Sequence, residues 1–150
     1  MTNTLRLNAA QLSHTGPKDI NEDAMALQLP QGHGLSSYTA AAAIADGLSS
    51  AEGGRIAAET SVTNFINDFF ATPSSWSVKT AGLKVLSALN RWLHGQGQHY
   101  HHNHQGYLTT FTAFIIRGNT GHIFHVGDSR LYRLRENDWE CLTKDHALIT

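Results

Sequence analysis

Apolar and polar positions divide the chain into a β-like beginning, a helical middle and a β-like final third. Residues 5–10, Leu-Arg-Leu-Asn-Ala-Ala, alternate in the manner of a half-buried strand. A turn is expected at Gly16-Pro17-Lys18-Asp19. Residues 24–29 alternate again, with Ala24, Ala26 and Gln28 set against Met25, Leu27 and Leu29. The stretch 30–37 is rich in Gly and Ser and reads as a loop. Residues 38–45 form a short apolar run that ends in Asp46-Gly47. Its alanines would suit a helix on propensity, but the short run and its flanking turns favour a buried strand.

Two helices are expected next. Over residues 52–71, Ala58, Val62, Phe65, Ile66 and Phe69 share one helical face, and Pro73 stops the run. Ser74 and Ser75 are placed to cap a second helix whose face carries Val78, Ala81, Val85, Leu89 and Trp92. Gly95 and Gly97 are expected to end it, with a polar loop over 96–105; Trp76 and Trp92 read as helix-packing residues. Strand character returns at 107–116, 122–126, 131–134 and 139–142, with turns at 118–121 and Asn137-Asp138. Strands, two helices and then a meander indicate an α+β fold.

Composition narrows the picture. A chain of 150 residues, 41% hydrophobic and 15% charged, reads as one globular domain. At that length it can bury roughly 70% of its unfolded surface. A formal net charge of −1 with no block of like charges argues against a nucleic-acid or acidic-membrane partner. No apolar run approaches the ~20 residues of a membrane helix, and residues 1–10 do not resemble a signal peptide. The lone cysteine, Cys141, excludes an internal disulfide framework; between Glu140 and Leu142 it reads as a buried thiol. The expected setting is cytoplasmic.

The candidate chemistry is acidic. Asn21-Glu22-Asp23, Ala45-Asp46-Gly47 and Gly127-Asp128-Ser129-Arg130 each stand where a strand-like run meets a turn. Strand ends that bring carboxylates together suit hard cations, which points to a Mg²⁺- or Mn²⁺-dependent hydrolase. Taken singly the clusters say less. Adjacent acids such as Glu22 and Asp23 are usually solvated surface residues. Asp46, at the end of a buried alanine-rich strand, is costly unless paired; a place between two cations would satisfy it, and helix capping is the alternative. Gly127-Asp128-Ser129-Arg130 also suits a bulge or tight hairpin. Asp145-His146 reads as a turn or a proton-transfer pair.

In order along the chain, these elements resemble the metal-dependent protein phosphatases of type 2C, the PPM family. The resemblance is carried by Gly16-x-Lys18-x-x-Asn21-Glu22-Asp23, by Ala45-Asp46-Gly47 with Glu52-Gly53-Gly54-x-x-Ala57-Ala58-Glu59, and by Gly106-x-x-Thr109-Thr110. His125-Val126-Gly127-Asp128-Ser129-Arg130-Leu131-Tyr132 and Leu142-Thr143-Lys144-Asp145-His146 complete it. It implies a four-layer α-β-β-α sandwich, here incomplete at the C-terminus, with residues 1–150 as the N-terminal part of one phosphatase domain. It implies two or more Mn²⁺ or Mg²⁺ ions: Asp46 bridging, Glu22 and the Gly47 carbonyl as ligands, Asp23 ligating or holding waters, and Asp128 behind them or at a further ion. The implied substrate is a phosphoserine or phosphothreonine protein, attacked by a metal-activated water.

Three departures qualify that implication. Lys18 stands where the family usually places a phosphate-gripping arginine, supplying charge without the bidentate fork. Leu48-Ser49-Ser50 replaces the usual Met-Gly-Gly, a spelling that resembles a bacterial subgroup with a kinase domain on the same chain. The family's later Asp-Gly and Asp-Asn elements do not occur in these residues, which implies an uncovered sheet edge and a segment inactive on its own. A catalytically silent module that regulates or binds a partner kinase is therefore the alternative. His99, His101, His102 and His104 are close enough for a transition-metal site, though adventitious surface placement accounts for them. His125, between Phe124 and Val126, reads as a packed histidine with one satisfied nitrogen.

Overall fold

The structure, a computed structural model, describes residues 5–31, 38–48, 53–100 and 106–147. Strands β1 (Asp23–Gln28), β2 (Thr39–Asp46), β3 (Phe111–Arg117) and β4 (Thr120–Val126) form an antiparallel sheet in the order β1-β2-β3-β4. Helices α1 (Gly54–Ala71) and α2 (Val78–Tyr100) are inserted between β2 and β3, which nevertheless pair directly. Helix α1 lies on β1 and β2 and packs against α2. A separate hairpin is built from β5 (Tyr132–Arg135) and β6 (Asp138–Cys141). The expected α+β layering is present as one helical layer on one sheet, with the hairpin beside it.

The alanines explain the closeness of helix and sheet. Ala41, Ala43 and Ala45 of β2, Ala113 of β3, and Ala57 and Ala58 of α1 are all buried at their contact. Side chains this small let the helix backbone approach the sheet, and larger groups fill the flanks. Phe65 is fully buried, its ring centroid 5.9 Å from that of Phe69, 4.9 Å from Phe111 and 6.0 Å from Phe124. The expected α1 face, Ala58, Val62, Phe65, Ile66 and Phe69, is buried throughout. The opposite face of the sheet carries half-buried Met25, Leu27 and Phe114 and exposed Ile44 and Ile123.

Several expectations give way. Residues 5–10 form no strand, because no neighbouring strand among the described residues supplies a ladder. The second helix is capped by Ser77, whose hydroxyl accepts the Thr80 N–H at 3.1 Å; Ser74 and Ser75 stand upstream, in the turn closed by the Trp76 N–H on the Pro73 carbonyl. That helix also runs through Gly95 and Gly97 to Tyr100. Gly97 is buried beside the Tyr107 backbone, so packing offsets its propensity cost of about 1 kcal/mol. Leu93 takes the buried place expected of Trp92, which is exposed, because the buried stripe advances in steps of four from Val85 and Leu89 toward Tyr107 and Leu108. His99 lies in the last helical turn, while His101, His102, His104 and most of the 30–37 loop fall outside the described residues.

Cys141 is exposed rather than buried, since both strands of its hairpin face solvent; its thiol donates to the Thr143 carbonyl at 3.3 Å. The hairpin turn sits at Glu136-Asn137, both at positive φ (50° and 70°), one residue before the expected position.

Candidate functional site

The strand register delivers the acids. Asp23 and Asp46 are direct partners at the end of the β1–β2 ladder, so their side chains share a face. The Gly47 N–H donates to the Glu22 carbonyl at 3.0 Å, tying the two acidic turns together. Glu22 reaches the first turn of α1: a Cβ added at Gly54 would come within 3.0 Å of its Oε1. Gly47 is packed so closely on Gly54 that a Cβ there would lie 2.2 Å from the Gly54 carbonyl oxygen. A side chain at Gly47 would therefore force α1 away from the acids.

Electrostatics mark Asp46 as the crowded member. Partial desolvation of its carboxyl, on a residue that is exposed as a whole, then the charge of Asp23 and a hydrogen bond with it, push its pKa above the ordinary carboxylate value. Lys18 opposes that shift and Asp128 adds to it. Four charged groups thus act on one another across a small space. A cleft of about 470 Å³ contains Lys18, Asp46, Gly47 and Asp128, with an apolar side formed by Leu48, Leu108 and Val126. Asp23 opens into a neighbouring hollow that Asp46 also lines. Glu22 lines neither hollow; its carboxylate lies against Gly54 of α1, the residue on which Gly47 packs. The cleft gathers four of the six expected site residues, Asp23 adjoins it, and Glu22 joins through backbone. Among the described residues no three His, Cys, Asp or Glu side chains cluster tightly enough to hold an ion unaided. Carboxylates and the Gly47 carbonyl offer oxygen donors here, and His146, which also lines the cleft, has its Nδ1 taken by the Gly127 N–H. Two facing carboxylates, one pushed toward protonation, are the environment a hard cation relieves, and the donor set fits such an ion.

Asp128 is held by a different device. Its turn joins β4 to β5, which belong to different sheets, so it is a change of sheet rather than a tight hairpin. Gly127 has φ of 109°, a conformation suited to glycine, and packs on Thr110. The Gly127 N–H donates to His146 Nδ1 at 3.3 Å and the His146 N–H to the Gly127 carbonyl at 2.8 Å. Arg130 grips Asp145 through both carboxylate oxygens, at 2.9 and 2.6 Å. That contact keeps the Asp145 carboxyl below its usual range and raises the Arg130 guanidinium further. Asp145 and His146 are thus separate fasteners of one turn, not a proton-transfer pair. His125 has both nitrogens engaged, Nδ1 with the Thr112 hydroxyl at 2.9 Å and Nε2 with the Lys144 carbonyl at 3.1 Å.

Sequence reasoning assigned no role to Thr109 and Thr110, yet both touch the site. Thr109 bridges to Gly47, and Thr110 bonds to Asp46 and Ser129. The signal available was a pair of threonines directly ahead of a strand, set after Gly106.

Comparison with known proteins identifies the family and the fold. A family model described as protein phosphatase 2C matches residues 10–148. Protein phosphatase PhpP of Streptococcus pneumoniae is 30% identical over 108 residues, covering 71% of this chain and 43% of its own length. The solved serine/threonine phosphatase of S. agalactiae superposes with a TM-score of 0.72 at 27% identity, over 87% of this chain and 52% of that one. The catalytic domain of the serine/threonine protein phosphatase PstP, in complex with two manganese ions, does so with a TM-score of 0.60 at 27% identity, over 85% and 50%. The chain spans about half the length of these relatives.

Proposed function

This chain belongs to the protein phosphatase 2C family, and on that premise we propose that it forms the N-terminal, metal-holding part of a protein serine/threonine phosphatase domain. The observation that carries the proposal is the cleft in which Lys18 and Asp128 face an Asp46 already crowded by Asp23. Asp46, Glu22 and the Gly47 carbonyl would hold Mn²⁺ or Mg²⁺, with Asp23 and Asp128 ligating or orienting waters. When bound, such ions supply an acidified water and neutralise charge on a phosphoryl group. Lys18 gives the incoming phosphate a point charge at the cleft. Leu48, Leu108 and Val126 narrow its apolar side, where displacing water strengthens every charge contact. The turn fastened by His146 and Arg130 fixes Asp128 in place before any substrate arrives. The substrate class proposed is a phosphoserine or phosphothreonine protein.

A silent regulatory module is the second reading, favoured by Lys18 in place of a bidentate arginine. The two part on one experiment. Phosphate release from a phosphothreonine peptide is measured with and without Mn²⁺, using the full gene product and its Asp46→Asn variant. Mn²⁺-dependent release by the parent and none by Asp46→Asn is expected. Bound Mn²⁺ without turnover would favour the regulatory module, and equal release by both proteins would remove Asp46 from the centre.

A further inference from the structure

We infer that Thr110 is a positioning residue that sets Asp46 against the turn carrying Asp128; the inference deepens the proposed metal centre and rests on that reading. Strands β2 and β3 pair down to Ile44 and Thr112, and the next partners in step are Asp46 and Thr110. A regular antiparallel pair at such a position exchanges two backbone hydrogen bonds. Here only one is backbone to backbone, the Thr110 N–H on the Asp46 carbonyl at 2.9 Å. The Asp46 N–H donates instead to the Thr110 hydroxyl at 3.0 Å, and the Thr110 carbonyl accepts from the Thr109 hydroxyl at 2.9 Å. A side chain has replaced the backbone as the partner of the central acid.

The same hydroxyl then reaches across the cleft. It lies 2.9 Å from the Ser129 hydroxyl, one residue past Asp128. On the other side of Asp128, a Cβ at Gly127 would sit 2.6 Å from both Cβ and the methyl of Thr110. One residue therefore holds the backbone of Asp46 and both neighbours of Asp128. A β-branched side chain has few χ1 choices, so hydroxyl and methyl keep these separate partners. Valine would keep the shape and take the acceptor from the Asp46 N–H. Serine would keep the acceptor and lose the methyl that meets Gly127.

The test is Mn²⁺ titration calorimetry on the metal-free full chain, Thr110→Val and Thr110→Ser, with melting curves in chelator beside it. Thr110→Val is expected to weaken Mn²⁺ binding by about tenfold or more, the usual consequence of losing a partner that orients metal ligands. Thr110→Ser is expected to bind like the parent even where it melts lower. Equal affinity in parent and Thr110→Val would overturn the inference alone. So would affinities that fall in both variants in step with their melting temperatures, since that is packing. A parent that binds no Mn²⁺ would overturn the metal-centre reading and this inference together.

Discussion

The helix-covered face of the four-stranded sheet and the β5–β6 hairpin use similar residues to opposite ends. On the first, Phe65, Phe69 and Phe111 are buried among alanines that bring α1 close. On the second, Tyr132, Leu134 and Trp139 are 49%, 54% and 71% exposed, and the hairpin relies on its ladder, the Tyr132–Trp139 edge contact and the Arg133–Glu140 pair. The first region gains stability from apolar burial, at about 1.5–3 kcal/mol per large side chain. The second gains little that way, since exposed ion pairs contribute at most about 1 kcal/mol. The candidate site lies on the seam. Asp46 rides on the packed region, and the Asp128 turn leads into the exposed one.

That contrast can be broken by truncating one aromatic ring on each side. Phe65→Ala should cost about 3–5 kcal/mol in a urea melt, whereas Trp139→Ala should cost about 0.5 kcal/mol. Similar losses for both would remove the contrast. At the seam, Gly127→Ala should cost about 2 kcal/mol, because alanine must adopt a φ of 109° and its Cβ collides with Thr110. The same melt checks it; an unchanged midpoint would mean the turn is not held as described.

Smaller effects follow from charge. The Asp145 pKa is lowered by Arg130, so the contact stabilises the fold above the ordinary carboxylate range and is lost as pH falls through the lowered value. A carboxyl ¹³C titration should find Asp145 below the usual ~3.9, and Arg130→Met should return it there. Asp46 has the opposite sign: its raised pKa means the ionised form burdens the metal-free fold once pH rises past it. In chelator at neutral pH, Asp46→Asn should therefore melt no lower than the parent. A clear drop would show that Asp46 carries structure rather than stored repulsion.

Periodicity made the packed region legible in the sequence and the exposed one less so. The α1 stripe from Ala58 to Phe69 is a one-sided pattern that burial enforces, and the structure follows it. Residues 5–10 alternate just as clearly, but a strand needs a partner and alternation alone does not name one. The α2 boundary and the Trp92–Leu93 exchange depended on Tyr107 and Leu108, distant in sequence. For the site, Asp46, Gly47 and Asp128 could be named from their places at strand ends, and Lys18 only through the family resemblance. The reciprocal bonds of Thr110 could not, because a threonine before a strand looks like ordinary β propensity until its register partner is known.

The most direct test of the account is the melting temperature of the full chain in chelator and in saturating Mn²⁺, for the parent and Asp46→Asn. A cation held between Asp46 and its neighbours should raise the parent by roughly 5–10 °C at about a hundredfold over the dissociation constant and leave Asp46→Asn where it was. Equal shifts in both proteins, or none in the parent, would contradict the claim that these acids form a cation centre.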